Sequence, residues 1–130
     1  MNENRNNKKR WTEKELGSQM GKNVIITGTG GLGYEAAISL SGAGAHVILA
    51  GRNASKGAKA IQTIKTTYPH ASIEFQKLDL ADLASIENFG KIIQSTFDRL
   101  DILINNAGVM ATPERRVTKD NFELQLGTNY

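Results

Sequence analysis

The 130-residue chain contains no cysteine. Disulfides, thiolate metal sites and a cysteine nucleophile are therefore excluded. No apolar run approaches the roughly 20 residues that a membrane-spanning helix needs. The N-terminus lacks the apolar centre of a secretory signal, so a reducing, cytoplasmic setting is expected. Net positive charge is also lacking outside one place. The net charge is +3, and residues 1–14 hold Arg5, Lys8, Lys9, Arg10 and Lys14 against Glu3 and Glu13, which accounts for all of it. Trp11 is the one aromatic residue among those charges. A nucleic-acid reading would rest on this Asn-rich arm alone, and a solvated, mostly disordered leader over 1–21 is the simpler reading. Neither nucleic acid nor membrane is expected as a partner, and no metal site is assigned. The length leaves room for one domain with one core, over 22–130.

What is present is organised around Val24-Ile25-Ile26-Thr27-Gly28-Thr29-Gly30-Gly31-Leu32-Gly33. Three apolar residues in a row read as a strand buried on both faces. Four glycines follow within six positions, and then small and apolar residues at helical spacing. A strand, a tight turn and a helix leave the first N–H groups of the helix unpaired, with the positive end of its dipole above the strand. A phosphate suits that place. Gly28, Gly30 and Gly33 match G-x-G-x-x-G in the required context, and Thr29, Gly31 and Leu32 complete the expected phosphate-binding turn. The alternative is an ordinary strand-to-helix connection.

The same alternation continues along the chain. Thr12 to Glu15 has capping-box spacing. Lys22–Thr27 is the first strand, and the first helix runs over about 32–41 with Leu32, Ala36, Ala37 and Leu40 on one face. His46–Ala50 is a second strand. The helix after it carries Gly57, Ile61, Ile64 and Tyr68 on its inner face and stops before Pro69. Ser72–Leu78 is a third strand. A helix over about 82–97 carries Leu83, Ile86, Phe89, Ile93 and Phe97. Asp101–Asn105 is the fourth strand, and a last helix is expected from Thr118 or Lys119. Buried strands alternating with helices give right-handed crossovers and an α/β, Rossmann-type doubly wound parallel sheet, here its amino-terminal half of about four strands. Ligands of such sheets bind at the carboxyl ends of the strands, where strand order reverses.

Three further strand ends carry candidates. After the second strand, an acidic residue would bind the free ribose hydroxyls of NAD. Arg52 stands there instead, and it offers a planar fork to a 2′-phosphate. Asn53 adjoins it and Lys56 adds a second cation, so NADP is favoured over NAD. The alternative is a pair of surface cations that solvate the helix start. Asp79 could accept a hydrogen bond from an adenine amine with Leu80 against the ring, or simply help the next helix begin. Asn105 and Asn106 leave a buried strand, which is costly unless their amides are bonded. They could tie neighbouring strand ends together, and Ala107 and Gly108 leave room beside Asn106 for a ribose and nicotinamide.

From Lys22 to Tyr130 the chain resembles the short-chain dehydrogenases/reductases. The runs VIITG, LAGRN, LDLADL, LDILINNAGVM and TKDNFELQLGTNY fit in order and spacing, and NNAG at Asn105–Gly108 is the most specific. The last run and the Arg52/Lys56 pair look most like the retinol dehydrogenase and protochlorophyllide reductase branch. The resemblance implies an NADP-binding portion of an oxidoreductase, acting on an alcohol, a carbonyl or an activated double bond. It aligns Asn129 with the family's catalytic asparagine, Arg52 and Lys56 with its 2′-phosphate clamp and Asp79 with its adenine-contacting acid.

Two departures stand out. The family turn is TGxxxGxG, and Thr27–Gly33 is one residue shorter. The family also uses a serine, a tyrosine and a lysine four residues after it, whose charge lowers the tyrosine pKa. Tyr34 is followed at that spacing by Ile38, and Tyr68 by Ser72. No turnover is expected from these residues alone, a small-molecule substrate is expected only in a longer form, and a non-catalytic dinucleotide-binding module or truncated product is the alternative. The domain is read as truncated within its last helix. The fourth strand should then be an exposed edge, leaving the chain marginally stable or self-associating through it.

Overall fold

The computed structural model describes residues 9–130. The expected leader therefore lies partly outside the described residues. Residues 12–21 pack against the domain. A 3-10 turn spans Glu13–Glu15, and the Thr12 N–H donates to Glu15 Oε2 at 3.0 Å, as the capping-box spacing implies. Ser39 Oγ donates to Glu13, and the Gln19 N–H donates to the Ala43 carbonyl at 2.8 Å. Leu16 packs on the core. The charge pattern concealed this docking because its contacts are mostly polar and backbone-mediated.

Four parallel strands follow, β1 (Asn23–Thr27), β2 (His46–Gly51), β3 (Ser72–Lys77) and β4 (Ile102–Ile104), in the spatial order β3-β2-β1-β4. The helices are α1 (Gly31–Gly42), α2 (Ala54–Thr67), α3 (Leu83–Thr96) and α4 (Leu124–Asn129). Strand residues alternate between two cores. Val24, Ile26, Val47, Leu49 and Ile73 face α1 and α2 with Ala37, Leu40, Ala60 and Ile64. Ile25, Ile48, Ala50 and Leu78 face Ile86, Phe89, Ile93 and Phe97 of the α3 segment. The largest fully buried side chains are Ile26, Ile48, Leu49, Ile64, Val24 and Val47. Five of these six lie on β1 and β2, so the central pair anchors the sheet, each side chain contributing about 1.5–3 kcal/mol.

Several expectations need correction. Leu32 is 82% exposed. The buried stripe of α1 is Gly33, Ala37, Leu40 and Ser41, and one residue along a helix rotates Leu32 out of it. Tyr68 is exposed because it lies past the end of α2, although its ring covers Gly42. The last helix begins at Leu124, not at Thr118 or Lys119. Thr118–Asn121 instead forms a turn closed by the Thr118 N–H on the Phe122 carbonyl at 2.7 Å. Glu123 supplies the cap for α4, its carboxylate accepting from the Gln125 and Leu126 N–H groups.

Strand β4 is only three residues long and forms one edge of the sheet, with Leu103 52% exposed. Polar contacts at its foot secure it to β1. Asp101 Oδ2 accepts from the Asn23 N–H at 2.8 Å, and the Arg99 guanidinium reaches both Asp101 and the Gly21 carbonyl. The Asn23 N–H foremost, then Arg99, holds the Asp101 carboxyl below the usual carboxylate range.

Candidate dinucleotide site

Strand β1 is followed in sequence by β2 and β3 on one side, whereas β4 lies on its other side. The order therefore reverses between β1 and β4, and the crevice of such a sheet opens outside their carboxyl ends. The first wall is the glycine turn. Gly28 has φ +91° and Gly31 φ +58°. Both are left-handed conformations that glycine adopts without the Cβ penalty, and they let the shortened turn pass from strand to helix within three residues. Gly30 caps α1. Among the described residues, the N–H groups of Thr29, Gly30, Gly31, Leu32 and Gly33 donate to no protein acceptor, and the first bond of the helix, Tyr34 N–H to the Gly30 carbonyl, is long at 3.5 Å. A Cβ on Gly30 or Gly31 would meet nothing within 4 Å. The turn presents a row of unpaired donors to open space.

The second wall is the end of β4. Thr27, 5% exposed, is its anchor. Its hydroxyl accepts from the Asn106 N–H at 3.1 Å and the Ala107 N–H at 3.0 Å. The Asn106 side-chain amide donates back to the Thr27 carbonyl at 3.1 Å. That amide also lies against the glycine turn. A Cβ on Gly28 would come within 2.9 Å of it, and one on Gly33 would overlap it. Asn106 therefore ties strand ends together, as one of the sequence alternatives held, with its amide turned toward the turn. Ala107 and Gly108 continue past it. Thr27 was not a sequence candidate, although its place in the VIITG run was the available signal.

Beyond Gly108 the chain is gripped by Asn129. The Val109 N–H donates to Asn129 Oδ1 at 2.8 Å, and Asn129 Nδ2 donates to the Val109 carbonyl at 2.7 Å. Asn129 is exposed, not core-facing, and its amide fixes the segment leaving β4. The Glu123 cap of α4 positions it. The Leu126 N–H, then that of Gln125, holds the Glu123 carboxyl below its ordinary range.

The third wall follows β2. Arg52, Asn53 and Lys56, with Ala54 and Ser55, line an open hollow of about 510 Å³. Asn53 Oδ1 accepts from the Lys56 N–H at 3.1 Å, so this side chain caps α2. The hollow thus combines two cations with a helix N-terminus, an arrangement suited to a phosphate. The Thr29 methyl lies 3.3 Å from where a Gly51 Cβ would stand, which joins this wall to the glycine turn.

After β3, Asp79 Oδ1 accepts from the Ala81 N–H at 2.9 Å, and the Asp79 N–H donates to Ser85 Oγ at 2.9 Å. Asp79 thus shapes the turn into α3. Asp82 is the cap of α3. Leu80 packs on the α3-side core. The structure thus joins Gly28, Gly33 and Asn106 directly, sets Arg52 beside Lys56, and brings Gly108 against Asn129.

The short chain dehydrogenase family matches residues 22–130. The chain belongs to the short-chain dehydrogenase family. It is 41% identical over 111 residues to human retinol dehydrogenase 13, which covers 85% of this chain and 33% of that protein. Its fold matches the crystal structure of an uncharacterised protein from Mycobacterium paratuberculosis with a TM-score of 0.80 and 40% identity, over 92% of this chain and 41% of that one. It also matches L-sorbose reductase from Gluconobacter frateurii, solved with NADPH and L-sorbose, with a TM-score of 0.64 and 28% identity, over 74% and 36% of the two chains. The first curated relatives it matches are much longer, and the chain spans 37% and 36% of them. Within the short-chain dehydrogenases it is an oxidoreductase-family chain with the family's parallel sheet. No described helix is long and apolar enough to cross a membrane.

Proposed function

We propose that this chain is the NADP-binding portion of a short-chain oxidoreductase that moves hydride between a nicotinamide and an alcohol, a carbonyl or an activated double bond. The observation that carries the reading is the meeting of the unpaired amide row at Thr29–Gly33 with the basic hollow at Arg52 and Lys56. The residues present fit a dinucleotide. The amides would hold its pyrophosphate, and the arginine and lysine its 2′-phosphate. Ala107 and Gly108 keep the β4 exit free of bulk for the ribose and nicotinamide. The Thr27–Asn106 lock and the Asn129 grip on Val109 fix that exit. The NADPH bound by the sorbose reductase supports the same preference.

When bound, the nicotinamide supplies or accepts the hydride. This chain's own residues bind and orient it. The serine and the tyrosine–lysine pair that the family uses for proton transfer are not among the described strands and helices. Turnover is proposed only where this cofactor portion is joined to those groups.

Calorimetric titration with NADP and NAD, paired with an assay of alcohol oxidation, tests this. Binding of NADP at least tenfold tighter than NAD is expected, a difference of about 1.4 kcal/mol. Equal affinity would refute the 2′-phosphate assignment, and absence of binding to either would refute the whole reading. Binding without turnover by a chain that also carries the family's serine and tyrosine–lysine pair would favour a non-catalytic module.

A further inference from the structure

The backbone turn that carries the basic hollow sits over an aromatic ring. Phe75 lies on β3, paired in register with Leu49 of β2, on the sheet face that carries α2. Its ring lies directly beneath two glycines. A Cβ on Gly57 would overlap the ring, coming within 2.7 Å of Cγ and 2.8 Å of Cε2, and a Cβ on Gly51 would lie 3.7 Å from Cε2. Gly51 is the residue before Arg52, and Gly57 is the residue after Lys56. One aromatic ring therefore packs closely under the backbone at Gly57 and lies below the open side of Gly51, one glycine at each end of the cationic pair. From above, the same turn is closed by the Asn53 cap on the Lys56 N–H and by the Gly57 N–H on the Asn53 carbonyl at 3.0 Å.

We propose that Phe75 is a positioning residue for discrimination between a 2′-phosphate and a 2′-hydroxyl, acting through Gly51 and Gly57 on the spacing of Arg52 and Lys56. This rests on the NADP reading above. The physical basis is that charge-assisted bonds to a phosphate depend steeply on geometry. A neutral ribose hydroxyl makes no such demand on the pair. Interiors do not deform freely, so a ring packed closely under the Gly57 backbone fixes the height of the first turn of α2 over the sheet.

Two opposite perturbations test it in this chain. Phe75→Leu removes part of that packing. Gly57→Ala adds a methyl group against the ring and lifts the turn, while raising intrinsic helix propensity. Each is expected to weaken NADP binding about tenfold, with NAD binding changed by less than about twofold. The double variant, in which the smaller leucine accommodates the new methyl, is expected to recover most of the NADP affinity. A ring that served stability alone would lower the melting temperature and weaken both cofactors together.

The outcomes separate cleanly. If the unaltered protein prefers NADP and the ratio of the two dissociation constants is unchanged in both single variants, the role of Phe75 is overturned and the NADP assignment stands. If the unaltered protein shows no preference, both fall. Should Phe75→Leu fold poorly, Gly57→Ala alone decides the matter through the same ratio.

Discussion

Replacing Thr27 with valine tests the reading of the crevice most directly. The two side chains have nearly the same shape, so no cavity opens at this buried position. What is lost is the hydroxyl, which accepts from the N–H groups of Asn106 and Ala107. The two donors do not suffer equally. The Asn106 N–H retains the Ile104 carbonyl at 3.0 Å, so Ala107 alone is left without a protein acceptor. One partly buried orphan donor costs about 1–2 kcal/mol, at the low end of the range for unsatisfied groups. Urea unfolding should therefore show a lower midpoint with an unchanged slope. The released β4 exit should also weaken NADP binding. Thr27→Ser provides the control, because it keeps the hydroxyl and loses one methyl group, about 0.8 kcal/mol. It should be destabilised but bind NADP normally. A valine variant with unaltered stability and affinity, or a serine variant that loses affinity as the valine one does, would refute the lock.

Other outcomes follow from single contacts. Gly33→Ala forces a methyl group into the Asn106 amide, so the protein should lose NADP affinity and stability together, and adding Asn106→Ala should restore part of the stability by making room. Asp101 gains its low pKa mainly from the Asn23 N–H, with Arg99 second. Its contribution is therefore present above the ordinary carboxylate pKa and is lost as pH falls through the depressed folded value. Asp101→Asn should narrow the difference in urea midpoint between pH 7 and pH 3, and an unchanged pH dependence would count against the clasp. Glu123→Ala removes the cap of α4 and should speed hydrogen exchange at Gln125 and Leu126, with Val109 following as the Asn129 grip loosens. Protection at Val109 that survives the change would show that Asn129 is held without α4.

The sheet could be read from the chain because its strands are continuous apolar runs bounded by turns. HVILA needs cover on both faces wherever it sits, and β2 has it. The same reasoning failed where local pattern and local contact part company. The last helix is expected from Thr118 or Lys119, yet it begins only at Leu124. The segment instead closes a local turn with Thr118 and spends Lys119 and Asp120 on distant partners. The Lys119 N–H donates to the Ala81 carbonyl, Lys119 Nζ pairs with Asp82, and Asp120 accepts from the Leu83 N–H at 2.8 Å. The two side-chain bonds reach across 37 positions to the start of α3, and no periodicity within the segment reports such contacts. Leu32 shows the reverse error. Its hydrophobicity argued for the inner face, whereas the stripe that meets the sheet needs the absence of a side chain at Gly33.

The site divides along the same line. Glycines, a strand-end arginine and an NNAG run are signals of residue type, and they located the three walls of the crevice. How the walls are joined depends on pairs far apart in sequence, such as Thr27 with Asn106 at a separation of 79. This dependence also accounts for the shortened turn. With one residue fewer, the passage from β1 to α1 requires left-handed backbone at Gly28 and Gly31, and the space above Gly33 is occupied by the Asn106 amide. The turn is thus braced from β4, while its own N–H groups remain unbonded. A turn stabilised by its own side chains or internal hydrogen bonds would have to give up donors or free space to do so. Bracing from a neighbouring strand leaves the N–H groups of Thr29–Gly33 free, and it makes the end of β4 as much a part of the proposed phosphate site as the glycines themselves.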